Sequence, residues 1–126
     1  MVAVDKLVPG AIEVQTLSWI RTQAVTNIQG VIDIQTSEDN IDLGEAEAII
    51  LALELKADLI FMDERRGRAL AATYGLKVTG LLGILLQSKG QGLISLVKPV
   101  MDRLIEEADF RISSDLYATV LRNAGE

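Results

Sequence analysis

A short, wholly apolar run between two helical segments places the strongest constraint on how this chain folds. Residues 59–62 (LIFM) are apolar throughout, and Asp63 follows at once. Helical patterning runs up to about Lys56 on one side and over residues 65–74 on the other. A run that is apolar on both faces is typical of a buried parallel strand. The segment therefore predicts a strand that is connected to its neighbours through helices.

The same alternation continues along the chain. Residues 76–79 are a second short strand, and Gly80 opens another helix. Helices are also predicted over residues 1–7, over residues 95–107 and after the Ser113–Ser114 pair, and the alternation in residues 19–25 (WIRTQAV) predicts a further strand. Strands that alternate with helices indicate an α/β fold, here a three-layer α/β/α arrangement with a mainly parallel sheet. Residues 1–126 are expected to form one domain.

Composition excludes several classes of chemistry. The chain has no Cys and no His, which removes disulfides, thiolate nucleophiles, imidazole zinc ligands and Ser–His catalysis. Any reaction must use carboxylates, lysine, hydroxyls or a hard metal ion bound by oxygen. The net charge of −6 argues against wholesale binding to nucleic acid but allows a local basic rim. No apolar run approaches the ~18 residues of a membrane span, and we expect a cytoplasmic protein with no membrane contact.

Glu45 stands out among the acids of the first strong helical segment. Asp42 is suited to cap this helix, and Glu45 comes three residues later, as in a capping box. With ~100° per residue, Glu45 points along the apolar face with Ile49, Ala52 and Leu53, whereas Glu47 and Glu54 fall on the opposite, solvated face. A carboxylate on an apolar face is costly without a partner. Glu45 is therefore either a functional acid or a capping residue near water.

Asp63 is the second candidate acid, and three arginines follow it. In open parallel sheets, ligands bind where the carboxyl ends of the strands meet, which is where Asp63 is expected. The alternative is a helix N-cap, which Asp also serves well. Arg65, Arg66 and Arg68 are either ordinary solubilising charges or residues that hold a phosphate backbone over a metal beside a carboxylate cluster.

The order of several motifs resembles a known family. The motifs, in chain order, are LGEAEAI, MDERRGRALA, VTGLLGILL, GLI and FRISSDLYATVLRNAGE, and the match as a whole runs from about Leu17 to the C-terminus. This arrangement resembles the PIN-like proteins of bacteria and archaea that are related to VapC-type toxin ribonucleases. The resemblance implies cleavage of RNA that depends on Mg²⁺ or Mn²⁺ held by clustered acids. It assigns Glu45 and Asp63 as catalytic and metal-binding residues, and Asp5 as a further metal ligand.

The sequence also departs from the family pattern. Relatives open with a strand that carries an Asp and lies at the centre of the sheet, and no such segment occurs here. Lys6 stands where relatives place a Glu, with Asp5 beside it. We therefore expect a PIN-like fold without its first, central strand. Either the reading frame starts upstream of Met1, or the domain is a shortened and weakly active or inactive descendant.

Two classes of function remain open at this stage. The first is a metal-dependent endoribonuclease, incomplete in this form. The second is a non-catalytic protein that self-associates as a homodimer or higher oligomer, or that binds an antitoxin-like partner, because a missing strand would leave apolar surface and strand edges uncovered. A nucleotide-binding module is less favoured, since no glycine-rich phosphate loop follows a strand.

Overall fold

A computed structural model of the chain describes residues 9–38 and 40–126. Within these residues the elements, in chain order, are α1 (Ala11–Thr16), α2 (Ile28–Ser37), α3 (Leu43–Leu55), β1 (Ile60–Phe61), α4 (Arg65–Thr73), β2 (Val78–Thr79), α5 (Leu81–Gly90), α6 (Lys98–Glu107) and α7 (Ser114–Asn123). The helix predicted over residues 1–7, with Asp5 and Lys6, lies outside the described residues. None of the helices in the described ranges has the length and apolar character needed to cross a membrane.

The two predicted short strands pair as expected. β1 and β2 are parallel, with Ile60 opposite Val78 and Phe61 opposite Thr79. α4 connects them, because two parallel strands require a crossover segment. Ile60 and Met62 are buried, while Phe61 between them is half exposed. The prediction of an α/β fold with parallel strand pairing is thus confirmed for this part of the chain.

The start of α3 follows its sequence signature. The Asp42 side chain accepts a hydrogen bond from the Glu45 backbone N–H at 2.8 Å, and the Glu45 side chain accepts one from the Asp42 N–H at 3.1 Å. This reciprocal pair is the predicted capping box. The helix ends at Lys56, whose φ of 50° breaks the helical backbone. Ile49 and Ala52 are buried as predicted, but Leu53 on the same predicted face is 37% exposed.

The prediction of a strand over residues 19–25 was wrong. This segment is irregular, and Trp19 within it is 75% exposed. Alternation of apolar and polar residues does not create a strand where the backbone has no neighbouring strand to pair with. The next element, α2, was not predicted from the sequence. It begins at Asn27, whose side chain accepts a hydrogen bond from the Gly30 N–H at 3.0 Å.

Glu54 has a structural role that the sequence did not indicate. It was predicted to belong to the solvated face of α3, yet its carboxylate accepts hydrogen bonds from the backbone N–H groups of Thr26 at 3.0 Å and Asn27 at 2.6 Å. These bonds, chiefly the one from Asn27, lower the pKa of Glu54 below its ordinary value of 4.5. Glu54 therefore anchors the start of α2 to α3.

Buried apolar side chains form two clusters, which we call the first core and the second core. The first core joins α2, α3, β1 and α4 and contains Val31, Ile34, Ile41, Ala46, Ile49, Ile50, Ala52, Ile60, Met62 and Ala71. The second core joins α5, α6 and α7 and contains Leu85, Val97, Met101 and Val120. The candidate site residues lie on segments between and around these two clusters.

Candidate functional site

Glu45 occupies a half-buried position in the first turn of α3. Its Oε2 accepts the hydrogen bond from the Asp42 N–H. Its Oε1 is buried and has no hydrogen-bond partner among the described residues. A buried carboxylate oxygen without a partner loses its hydration and gains nothing in return. The side chain therefore has one oxygen that serves the helix and one that is available to a ligand.

Gly67 of α4 makes room for this unpaired oxygen. A methyl group added at Gly67 would lie 3.1 Å from Glu45 Oε1 and 2.4 Å from the Met62 sulfur, which is closer than real contacts allow. α4 thus approaches α3 closely at this point because Gly67 has no side chain. The adjoining cavity, of about 460 Å³, is lined by Asn40, Asp42, Glu45, Glu64, Arg65 and Arg66.

Asp63 lies just beyond β1, at the strand end where the sequence placed it. Its side chain is exposed, and Oδ1 accepts a long hydrogen bond of 3.4 Å from the Leu81 N–H at the start of α5. Asp63 is not the N-cap of α4, because Glu64 takes that position without a side-chain cap bond. A methyl group added at Gly80 would lie 3.5 Å from Asp63 Oδ1 and 3.4 Å from Arg68 Nη1. Asp63 and Arg68 therefore flank Gly80 together.

A larger cleft, of about 580 Å³, opens beside Asp63. Asp63 and Arg68 line it together with the turn from β2 to α5. Phe110 and Arg111, which lie between α6 and α7, line it as well, with residues from α7. Sequence reasoning missed Phe110 and Arg111. They begin the quoted motif FRISSDLYATVLRNAGE, but nothing in that motif indicated that they would line a cleft with Asp63.

The three arginines that were predicted to act together are divided between two cavities. Arg65 and Arg66 line the smaller cavity with Glu45, whereas Arg68 lines the cleft with Asp63. Consecutive positions on a helix point in different directions, so a run of basic residues distributes its charges around the helix. Each candidate acid consequently has at least one arginine on the wall of its own cavity.

The candidate acids provide some, but not all, of the oxygen ligands that a hard divalent cation requires. The unpaired Glu45 Oε1 and the exposed Asp63 carboxylate are oxygen donors of the kind that Mg²⁺ and Mn²⁺ prefer. Within residues 9–38 and 40–126, no group of three or more acids lies close enough to hold a metal ion. Mg²⁺ often takes only one or two carboxylates and completes its shell with water. Asp5, the third predicted ligand, lies outside the described residues.

Comparison with known proteins gives one match. A family model described as a PIN domain (DUF3368) matches residues 1–126, the whole of the chain. No curated protein and no solved structure matches the sequence.

Proposed function

Since the chain belongs to the PIN domain family, which is nuclease-like, we propose that it is a PIN-like domain related to the metal-dependent endoribonuclease toxins of the VapC type. In this form it is weakly active or inactive. We propose with this that the α/β fold has the three-layer PIN arrangement. The observation that carries the proposal is the buried, unpaired Oε1 of Glu45, a costly feature that a bound cation would compensate.

The residues have separate roles in this proposal. Glu45 and Asp63, which line separate cavities, each offer carboxylate oxygens to Mg²⁺ or Mn²⁺. Such an ion supplies a water of lowered pKa and stabilises the charge that develops on the phosphate. Arg65, Arg66 and Arg68 bind the phosphates of the RNA, because a guanidinium donates two parallel hydrogen bonds to such a group. Activity is weak because the described residues supply two of these acids and no cluster of three.

Cation binding is the first test, because it does not depend on turnover. We expect Mn²⁺ to raise the melting temperature of the wild-type protein and to have no such effect on Glu45→Gln or Asp63→Asn. Glu47→Gln is the matched control, since it removes the same charge two residues away on α3. Equal Mn²⁺ stabilisation of Glu45→Gln and Glu47→Gln would refute the role of Glu45.

Cleavage of RNA is the second test. With Mg²⁺ or Mn²⁺ and a labelled oligoribonucleotide, we expect slow cleavage or none by the wild-type chain. Any slow cleavage should disappear in Glu45→Gln and Asp63→Asn. Rapid cleavage that is lost in both variants would contradict the proposed weak activity, and cleavage that persists in both would contradict the site.

Exposed apolar side chains favour the alternative, a non-catalytic protein that associates with another copy or with an antitoxin-like partner. In and after α1, Ile12 is 53%, Val14 52%, Leu17 37% and Trp19 75% exposed. Exposed apolar residues that are concentrated in one segment favour association. We propose a homodimer or higher oligomer through this segment, and sedimentation should show Trp19→Ser as more dissociated than Arg21→Ser. A wild-type protein that remains monomeric at high concentration would rule this out.

A further inference from the structure

The cleft beside Asp63 has a part that the family resemblance does not assign to any role. Phe110 and Arg111 line this part of the cleft, which Asp63 and Arg68 also line. We propose that the cleft binds one nucleotide of a single-stranded RNA, with Arg68 and Arg111 on its phosphate and Phe110 against its base. Phe110 and Arg111 are then substrate-positioning residues. This inference rests on the proposed function. It adds that the RNA is single-stranded and that one of its nucleotides lies in this cleft.

The charges of the cleft support a phosphate ligand. Neither Arg68 nor Arg111 forms an ion pair with another described residue. By contrast, Arg103 is paired with Glu107 at 3.2 Å. Two guanidinium groups that line one cleft and form no ion pair with a described residue can bind an anion from solution. Because the whole chain carries a net charge of −6, attraction to RNA must arise from such a local pair and not from the overall field.

The position of Phe110 indicates that the ligand includes a base as well as a phosphate. It is half buried and lines the cleft, but it is not among the apolar residues that pack against the second core. The preceding residue, Asp109, has a φ of 52°, and the Phe110 N–H bonds to the Leu104 carbonyl at 3.1 Å. The backbone therefore holds Phe110 in place while its ring contributes little to the core. An aromatic side chain in such a setting is a platform for an unpaired base.

The size and lining of the cleft agree with a single nucleotide. A volume of about 580 Å³ falls within the range of roughly 300–1,000 Å³ that small-ligand sites occupy. Leu82, Leu86 and Leu116 supply apolar surface, and Thr79, Thr119 and Asn123 supply hydrogen-bonding groups. A base that must leave its helix to meet Phe110 is available in a single strand and not in a duplex.

The test is equilibrium binding of a short, fluorescently labelled single-stranded oligoribonucleotide, measured by anisotropy at low salt in EDTA. Arg111→Gln should weaken binding about 5-fold or more and reduce the slope of log affinity against log salt by about 0.7, the value for one phosphate contact on a single strand. Phe110→Leu should also weaken binding about 5-fold or more, whereas Phe110→Tyr, which keeps an aromatic ring, should retain the wild-type affinity. Duplex RNA of the same sequence should bind less tightly.

Two controls separate this inference from the proposed nuclease site. Arg103→Gln removes the same charge outside the cleft and should change affinity less than about 2-fold. Asp63→Asn removes a catalytic acid but should bind RNA in EDTA at least as well as the wild type, because it takes a negative charge out of the cleft. Absence of wild-type binding, unchanged affinity in Arg111→Gln and Phe110→Leu, or an equal loss in Arg103→Gln would overturn the inference. If the wild-type protein binds the oligoribonucleotide as expected but does not bind Mn²⁺, the metal site is refuted and this inference is not.

Discussion

Next to each core, a glutamate side chain accepts hydrogen bonds from backbone N–H groups at the start of a helix that is distant in the sequence. We call this contact a closure. In the first core, Glu54 of α3 accepts the backbone N–H groups of Thr26 and Asn27, just before α2. In the second core, the Glu126 carboxylate accepts the N–H groups of Val97 at 2.8 Å and Lys98 at 3.1 Å, where α6 begins. Helix N-termini offer unsatisfied N–H groups and favour negative charge.

The two closures differ in how completely the carboxylate is enclosed. Glu126 also pairs with Lys89 at 3.0 Å, and its side chain is only 10% exposed. Lys89 in turn donates a hydrogen bond to the Ala124 carbonyl. One lysine therefore contacts both Ala124 and Glu126. Glu54 has no cation within ion-pair distance among the described residues. The closure beside the second core therefore combines hydrogen bonds with an ion pair, whereas the closure beside the first core consists of hydrogen bonds alone.

Glu45 completes this comparison, because it lies on α3, a helix of the first core, and yet one of its oxygens is not satisfied. Its Oε1 is the buried side-chain oxygen without a partner in the described part of the chain. Glu54 and Glu126 have donors for both carboxylate oxygens, whereas Glu45 has a donor for Oε2 alone. Departures from full polar satisfaction are expected where function requires them. The comparison of the cores thus separates structural glutamates from the candidate functional one.

The largest expected effects come from cavities in the two cores. Ile49 and Met101 are both 0% exposed, one in each core. Ile49→Ala and Met101→Ala should each lower the free energy of unfolding by about 2–5 kcal/mol. If the cores fold as one unit, each variant should unfold in a single transition in chemical denaturation followed by circular dichroism. Two separate transitions would show that the cores are independent, and Leu93→Ala, at a 72% exposed position, is the control with little effect.

Helix caps should give the next largest effects. Asp42 and Ser113 each accept an N–H in the first turn of their helices, from Glu45 at 2.8 Å and from Leu116 at 3.2 Å. Replacement of either by Ala should lower the free energy of unfolding by about 1 kcal/mol. Asp42→Ala should cost more than Ser113→Ala, because a carboxylate also interacts with the helix dipole. Equal or reversed losses in thermal denaturation would argue against this charge contribution.

The Glu126 closure should give a smaller, pH-dependent effect. The N–H of Val97, followed by that of Lys98 and by the charge of Lys89, lowers the pKa of Glu126 below its ordinary value of 4.5. The folded state thus binds fewer protons than the unfolded state. The stability gained is present above pH 4.5 and is lost as the pH falls through the folded pKa. Glu126→Gln should therefore lower the melting temperature at neutral pH and differ little from the wild type in strong acid.

The Glu54 closure should give the smallest effect of the four. Its pKa is also lowered, so its contribution has the same sign and fades over the same acidic range. Glu54→Gln keeps an acceptor oxygen for Asn27 and loses no ion pair with a described residue. We expect a smaller shift in melting temperature than for Glu126→Gln at neutral pH. A larger shift would show that the first core, and not the second, depends more on its carboxylate.

Much of the local structure could be predicted from the sequence. α3, α4, α5 and α7 lie where caps, glycines and apolar spacing predicted them, and the two short strands pair in parallel as expected. α1 and α2 were missed, and residues 19–25 were misassigned as a strand. For α2 the cause is a partner that is distant in the sequence. Glu54 fixes the start of α2 from 27 residues away, and no local pattern contains that information.

For the candidate site, the sequence by itself determined which residues are chemically suited to act. It identified Glu45 as an acid on an apolar face and Asp63 as an acid at a strand end, because helical spacing and strand polarity are short-range properties. Only the tertiary structure decided that Glu45 keeps one unpaired oxygen beside Gly67, and that Phe110 and Arg111 line the same cleft as Asp63. Such placements depend on how helices pack over long separations in the chain, which the order of residues does not display.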